Sequence, residues 1–109
     1  MSYSDHHLDE EPTRAEIDAL AGPVVIEFGA PWCGHCLAVQ PTLQKLLEPF
    51  PEVRHIKIHD GKGQPLGRSF RVKFWPTLVF LRDGEVLGRA VRPDESEIVE
   101  GLQAIMGEI

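Results

Sequence analysis

The only two cysteines of the chain fall in one tetrapeptide, Cys33-Gly34-His35-Cys36, directly after Pro31-Trp32. An apolar run, Val24 to Phe28, leads into them, and a helical pattern follows. A strand that feeds a turn and then a helix places Cys33 at the helix mouth, where unpaired N–H groups and the positive dipole end favour a thiolate. That raises the share of Cys33 present as the attacking species at neutral pH. Cys36, one turn further, is placed to attack a mixed disulfide formed at Cys33. The competing readings are a pair of buried structural thiols or half of a zinc site. Zinc wants four ligands, and the sequence offers no second CxxC or Cys-His pair. His6 and His7 lie in an opening segment with little to hold them, so no metal site is expected.

The 109 residues suffice for one domain with a single core, and 42% are hydrophobic. The net charge of -6, with eleven scattered basic residues, argues against nucleic acid or an anionic membrane as partner. No stretch reaches the length of a membrane span. The first residues lack the charge and apolar run of a signal peptide, so the expectation is a soluble cytoplasmic chain. In that reducing setting a lone CxxC reads as catalytic.

Residues 1–12 are polar and acidic and are expected as a tail or weak edge strand, with the domain proper over 13–109. Thr13 and Glu16 fit a capping box that starts a short helix to about Leu20. Val24–Phe28 reads as a central strand covered on both faces. A helix is predicted from Gly34 to Leu47, with Pro41 inside it as a kink. Arg54–Ile58 reads as a second strand, and a short helix is expected around Leu66–Phe70. Thr77–Leu81 and Val86–Val91 form a hairpin around Asp83-Gly84. Asp94 and Glu97 cap a last helix to about Met106. The fold class is α/β: a central mixed sheet, with a parallel pair and a C-terminal antiparallel hairpin, flanked by helices.

From about Thr13 onward the chain resembles the thioredoxin superfamily. The resemblance rests on Phe28 to Cys36, on Pro41, on Trp75-Pro76-Thr77 and on Asp83-Gly84. The Cys-Gly-His-Cys form is similar to the active site of protein disulfide isomerases, whereas typical thioredoxins carry proline where His35 stands. The resemblance implies Cys33 as nucleophile and Cys36 as resolving thiol, with Gly34 and Trp32 as supporting residues of the motif. It implies that His35 stabilises the Cys33 thiolate and makes the disulfide easier to reduce; the plainer alternative is a solvent-facing helix residue.

Glu27 interrupts the apolar strand. Buried and unpaired, its carboxylate would be costly, so it either pairs or raises its pKa. The resemblance gives it a role in proton transfer with Cys36 through water, and makes Lys57 its partner. The alternatives are a strand-end carboxylate reaching solvent and an ordinary strand lysine. Pro76 matches the family's cis-proline, beside which the peptide groups of Trp75 would pair with an extended substrate. Trp75, Gly29, Arg92 and Leu37 depart from typical thioredoxins, which carry a smaller aliphatic, an aromatic, a glycine and a lysine there. Either the groove is reshaped for a partner, with Trp75 and Arg92 as anchors, or Trp75 and Gly29 merely exchange volume.

The function expected is thiol–disulfide exchange on protein substrates by a monomer. The only redox group required is the Cys33–Cys36 pair, without a separate cofactor, and an upstream thiol reductase or glutathione supplies electrons. A reductant is favoured. The alternatives are an oxidase or isomerase, or a chaperone-like binding module with incidental redox activity.

Overall fold

The computed structural model describes residues 2–107. The elements follow in the order α1 (Arg14–Asp18), β1 (Pro23–Gly29), α2 (Gly34–Leu47), β2 (Arg54–His59), α3 (Pro65–Ser69), β3 (Thr77–Arg82), β4 (Glu85–Val91) and α4 (Glu95–Ile105). The strands form one sheet in the order β2-β1-β3-β4. β1 pairs in parallel with β2, antiparallel with β3, and β3 antiparallel with β4.

Local chemistry accounts for the boundaries. Both capping boxes form: Thr13 with Glu16 opens α1, and Asp94 with Glu97 opens α4. The hairpin turn needs positive φ at both central residues, and Asp83 and Gly84 adopt +52° and +81°. A Cβ at Gly84 would also lie 2.1 Å from the Asp18 carbonyl oxygen, so only glycine fits there. α2 runs on through Pro41 to Leu47.

The sheet separates two apolar layers. Val24, Ile26 and Phe28 face Ile17, Leu66 and Phe70, while Val25 faces Val39, Leu43, Leu47 and the inner side of α4. Full burial of such side chains stabilises the fold by about 1.5–3 kcal/mol each. Strand alternation puts Glu27 on the same face as Val25, against α2. On β2 the same register brings His55 and Lys57 to that face, opposite Val25 and Glu27.

Residues 2–12, expected as a tail or weak edge strand, contain no strand. One backbone bond, Leu8 N–H to the Lys57 carbonyl at 2.9 Å, touches the β2 edge. Side chains hold the rest: the Tyr3 ring lies 5.3 Å from the His55 ring.

Candidate active site

Cys33 is the N-cap of α2, and its Sγ accepts the Cys36 N–H at 3.2 Å. It thus satisfies one of the free donors of the helix start, the place where a thiolate gains most. Cys33 is half-buried, and Cys36 is only 4% exposed. Burial, then the hydrogen bond with the Cys33 sulfur, pushes the Cys36 thiol up to about 12. One sulfur is therefore accessible and held by a donor, and the other is sheltered and keeps its proton.

Gly29 ends β1 beneath this pair. A Cβ there would lie 2.5 Å from Cys36 Sγ. The volume freed at Gly29 is thus filled by the Cys36 sulfur, not by the Trp75 indole, whose Nε1–H reaches Asp60 Oδ2 at 2.9 Å.

Glu27 is 1% exposed, which excludes a strand-end carboxylate reaching water. It pairs instead. His55 Nε2 lies 2.8 Å from Glu27 Oε1, and Gln40 Nε2 donates to Glu27 Oε2 at 2.6 Å. Burial pushes the carboxyl upward. The hydrogen bond of His55, the charge of Lys57 and the Gln40 bond oppose it, and the group is held below the ordinary carboxylate range. The raised acid expected for an unpaired Glu27 is therefore replaced by a paired, ionised one.

Lys57 is buried on the same face, but its Nζ donates to Gln40 Oε1 at 3.1 Å, so the amide of Gln40 stands between it and Glu27. Gln40 fills its full capacity: Oε1 also accepts the Tyr3 hydroxyl at 2.7 Å, and Nε2 also donates to the Cys36 carbonyl at 2.7 Å. The amide ties the carboxylate to the backbone of Cys36.

Trp75–Pro76 is a cis peptide. A groove of about 210 Å³ is lined by His35, Val39, Thr42, Pro76, Arg92 and Asp94, among others, so His35, Pro76 and Arg92 meet there. His35 and Gly34 are exposed on the first turn of α2, and Trp32 beside them is 70% exposed with its ring edge-on to His59 at 5.0 Å. The peptide groups of Trp75 are only partly open. Its carbonyl accepts Arg92 Nε at 3.0 Å and the Pro76 carbonyl accepts the Arg92 N–H at 2.8 Å, while the Trp75 N–H has no partner among the described residues. Arg92 has φ +47°, a conformation glycine adopts freely, and these two bonds hold an arginine in it.

Residues 5–104 match the thioredoxin family model. The chain belongs to the thioredoxin family. Thioredoxin 2 of Pseudomonas aeruginosa PAO1, in its reduced form, is 49% identical, with 96% of this chain and 98% of that one covered at a TM-score of 0.84. The thioredoxin Asp f 28 of Aspergillus fumigatus is 35% identical over 86 residues, which cover 78% of this chain and 80% of that one. Mitochondrial thioredoxin-3 of Saccharomyces cerevisiae is 31% identical over 80 residues, 73% of this chain. The match spans 63% of that yeast protein's own length, and 59% of thioredoxin H2-1 of Oryza sativa.

In this thioredoxin-family chain four participants escape sequence reasoning: Gln40, His55, Tyr3 and Ser4. Two had a signal. Gln40 stands four residues after Cys36 and so shares its helix face. His55 stands two before Lys57 and so shares its strand face. Nothing in the polar opening segment marks Tyr3 or Ser4. Among the described residues no group of three or more His, Cys, Asp or Glu could hold a metal ion, and no helix is long and apolar enough to cross a membrane.

Proposed function

We propose that this chain is a thiol–disulfide oxidoreductase that reduces protein disulfides in a reducing compartment. The observation that carries the reading is the asymmetry of the two sulfurs: Cys33 capped by a backbone N–H and accessible, Cys36 buried with its thiol pushed up to about 12. Thioredoxin homologues are thiol–disulfide oxidoreductases that act on protein disulfides. A structurally similar chain, 29% identical with a TM-score of 0.73, comes from work on thiol resolution in a yeast mitochondrial 1-Cys peroxiredoxin through glutathione and thioredoxin systems.

The Cys33 thiolate attacks one sulfur of a substrate disulfide. A mixed disulfide forms, and the other substrate sulfur leaves as a thiolate. Cys36 then gives its proton to the Glu27 carboxylate through water and attacks Cys33. The Cys33–substrate bond breaks, the second substrate thiolate leaves, and Cys33–Cys36 becomes oxidised. Two electrons pass to the substrate. The Trp75 N–H and the Arg92 guanidinium are the groups offered to an extended substrate beside Pro76. A thiol reductase or glutathione returns the pair to the dithiol.

The Gly-His dipeptide, similar to that of disulfide isomerases, supports a poise less reducing than that of a proline-bearing thioredoxin. Reference couples run from about -270 mV for thioredoxin to about -180 mV for disulfide isomerase. The test is insulin reduction by dithiothreitol with and without the chain. Acceleration that vanishes in C33S supports the reading; no acceleration overturns it. Equilibration with glutathione then fixes the direction: a potential near the isomerase end favours the oxidase or isomerase alternative.

A further inference from the structure

The opening segment is tied into the redox centre at two points. The Ser4 N–H donates to His55 Nδ1 at 2.9 Å, and the Tyr3 hydroxyl donates to Gln40 Oε1 at 2.7 Å. Resting on the exchange chemistry above, we propose that residues 2–8 are part of that centre. The Ser4 N–H locks the His55 ring so that its Nε2–H points at Glu27, and His55 is the positioning residue that keeps Glu27 an ionised proton acceptor for Cys36.

The tautomer follows from donors and acceptors. A backbone N–H can only donate, so Nδ1 must present its lone pair to Ser4. A neutral imidazole has one N–H, which then sits on Nε2 and donates to Glu27 Oε1 at 2.8 Å. A ring protonated on both nitrogens would set two donors head to head at Ser4. The His55 side chain is fully shut from water, so no solvent molecule can relieve that clash. The two contacts therefore make His55 a neutral donor to Glu27 through Nε2.

Other groups cannot take over this task. Gln40 supplies the second donor to Glu27, and Tyr3 fixes which way that amide faces. From β2, Lys57 reaches only the far side of the amide. α2 adds the Cys36 thiol itself and Cys33, and β3 adds only the apolar Leu78 opposite Glu27. From the opening segment, exposed Asp5 and half-buried His7 add only weak fields over the Tyr3 hydroxyl and around Glu27. Without the His55 donor, less opposes burial and the Glu27 carboxyl holds its proton to higher pH. Cys36 then lacks its acceptor until the pH is higher.

The experiment is stopped flow of the reduced chain with Ellman's disulfide. The first release of thionitrobenzoate reports attack by Cys33 and the second reports release by Cys36, so their ratio divides out general damage. H55L removes the donor, H55Q restores an amide N–H, S4P removes the N–H that meets Nδ1, and S4A removes the Ser4 hydroxyl alone as its control. The expected result is an acid limb of the second phase moved up by about one pH unit in H55L, and not in S4P, which keeps the donor to Glu27. That is about tenfold slower release on that limb, with H55Q returning toward the native profile. Nitrogen NMR of the native chain should show the Nε2–H tautomer at His55 with Nδ1 bare, and S4P should let Nδ1 carry a proton as well. A native second-phase profile in H55L, an H55Q shift equal to that of H55L, a native ring protonated on Nδ1, or an S4P ring indistinguishable from the native one would each overturn the proposal. If the native chain shows no first phase, the exchange reading fails and the proposal falls with it; a native first phase with an unmoved second phase in H55L removes the proposal alone.

Discussion

The Glu27 carboxylate and the His55 ring meet at 2.8 Å on the buried face of two parallel strands, with 1% and 0% of their side chains exposed. A carboxylate out of water is costly unless charge-assisted hydrogen bonds replace its hydration. Here His55 and Gln40 provide two, which is why an acid interrupts an otherwise apolar strand.

E27L should leave the His55 Nε2–H and the Gln40 amide without acceptors. Each buried orphan costs about 1–3 kcal/mol, so a urea midpoint well below native is expected. E27Q keeps an acceptor and should lose less. E27Q should still slow release by Cys36, because an amide cannot take the thiol proton. Native release in E27Q would remove Glu27 as the acceptor.

Because the Glu27 carboxyl is held below its ordinary value, the folded state binds fewer protons than the unfolded one in the acid range. Its contribution to stability is complete above the unfolded carboxylate pKa and is lost as pH falls through the lowered value. Urea unfolding from pH 6 downward should show a shallower acid loss in E27Q than in the native chain. Equal slopes would mean that Glu27 is not the ionised group described.

Cys36 carries the opposite sign. With its thiol at about 12 against an ordinary 9.0, the folded dithiol holds a proton that the unfolded chain releases. The reduced form should lose stability relative to the oxidised form from about pH 9 upward, at up to about 1.4 kcal/mol per pH unit. Parallel curves for the two forms would contradict this. By the same asymmetry, iodoacetamide at pH 7 should modify Cys33 to completion while Cys36 stays free, as peptide mass mapping would show.

Much of this architecture is legible in the sequence because it is set locally. The two capping boxes, the Asp83-Gly84 turn and the Gly34–Leu47 helix stand where short-range patterns put them. The resemblance through Phe28 to Cys36 and Trp75-Pro76 marks the cysteines and the groove. What stays hidden depends on distance along the chain. Tyr3 meets Gln40 across 37 positions and Ser4 meets His55 across 51, and no local pattern encodes either contact. Glu27 was visible as an anomaly, but its state depends on whether a donor arrives from β2, which only the folded register decides.

Arg92 should divide binding from chemistry. R92A frees the Trp75 carbonyl and removes the guanidinium from the groove, so KM for a protein disulfide should rise several-fold with kcat little changed. R92G should be more stable than R92A by about 1 kcal/mol, since glycine accepts φ +47° without penalty. Equal stabilities would show that the backbone relaxes there.

H35P should move the couple toward more negative potentials, by some tens of mV on a reference span of about 90 mV. Equilibration with glutathione measures it, and an unchanged potential would reduce His35 to a solvent-facing helix residue.

The division of labour between the sulfurs is tested most directly by C36S mixed with a protein disulfide and quenched for mass analysis. The expected product is a stable adduct on Cys33 that persists until dithiothreitol is added. Turnover like that of the native chain, or no adduct at all, would contradict it.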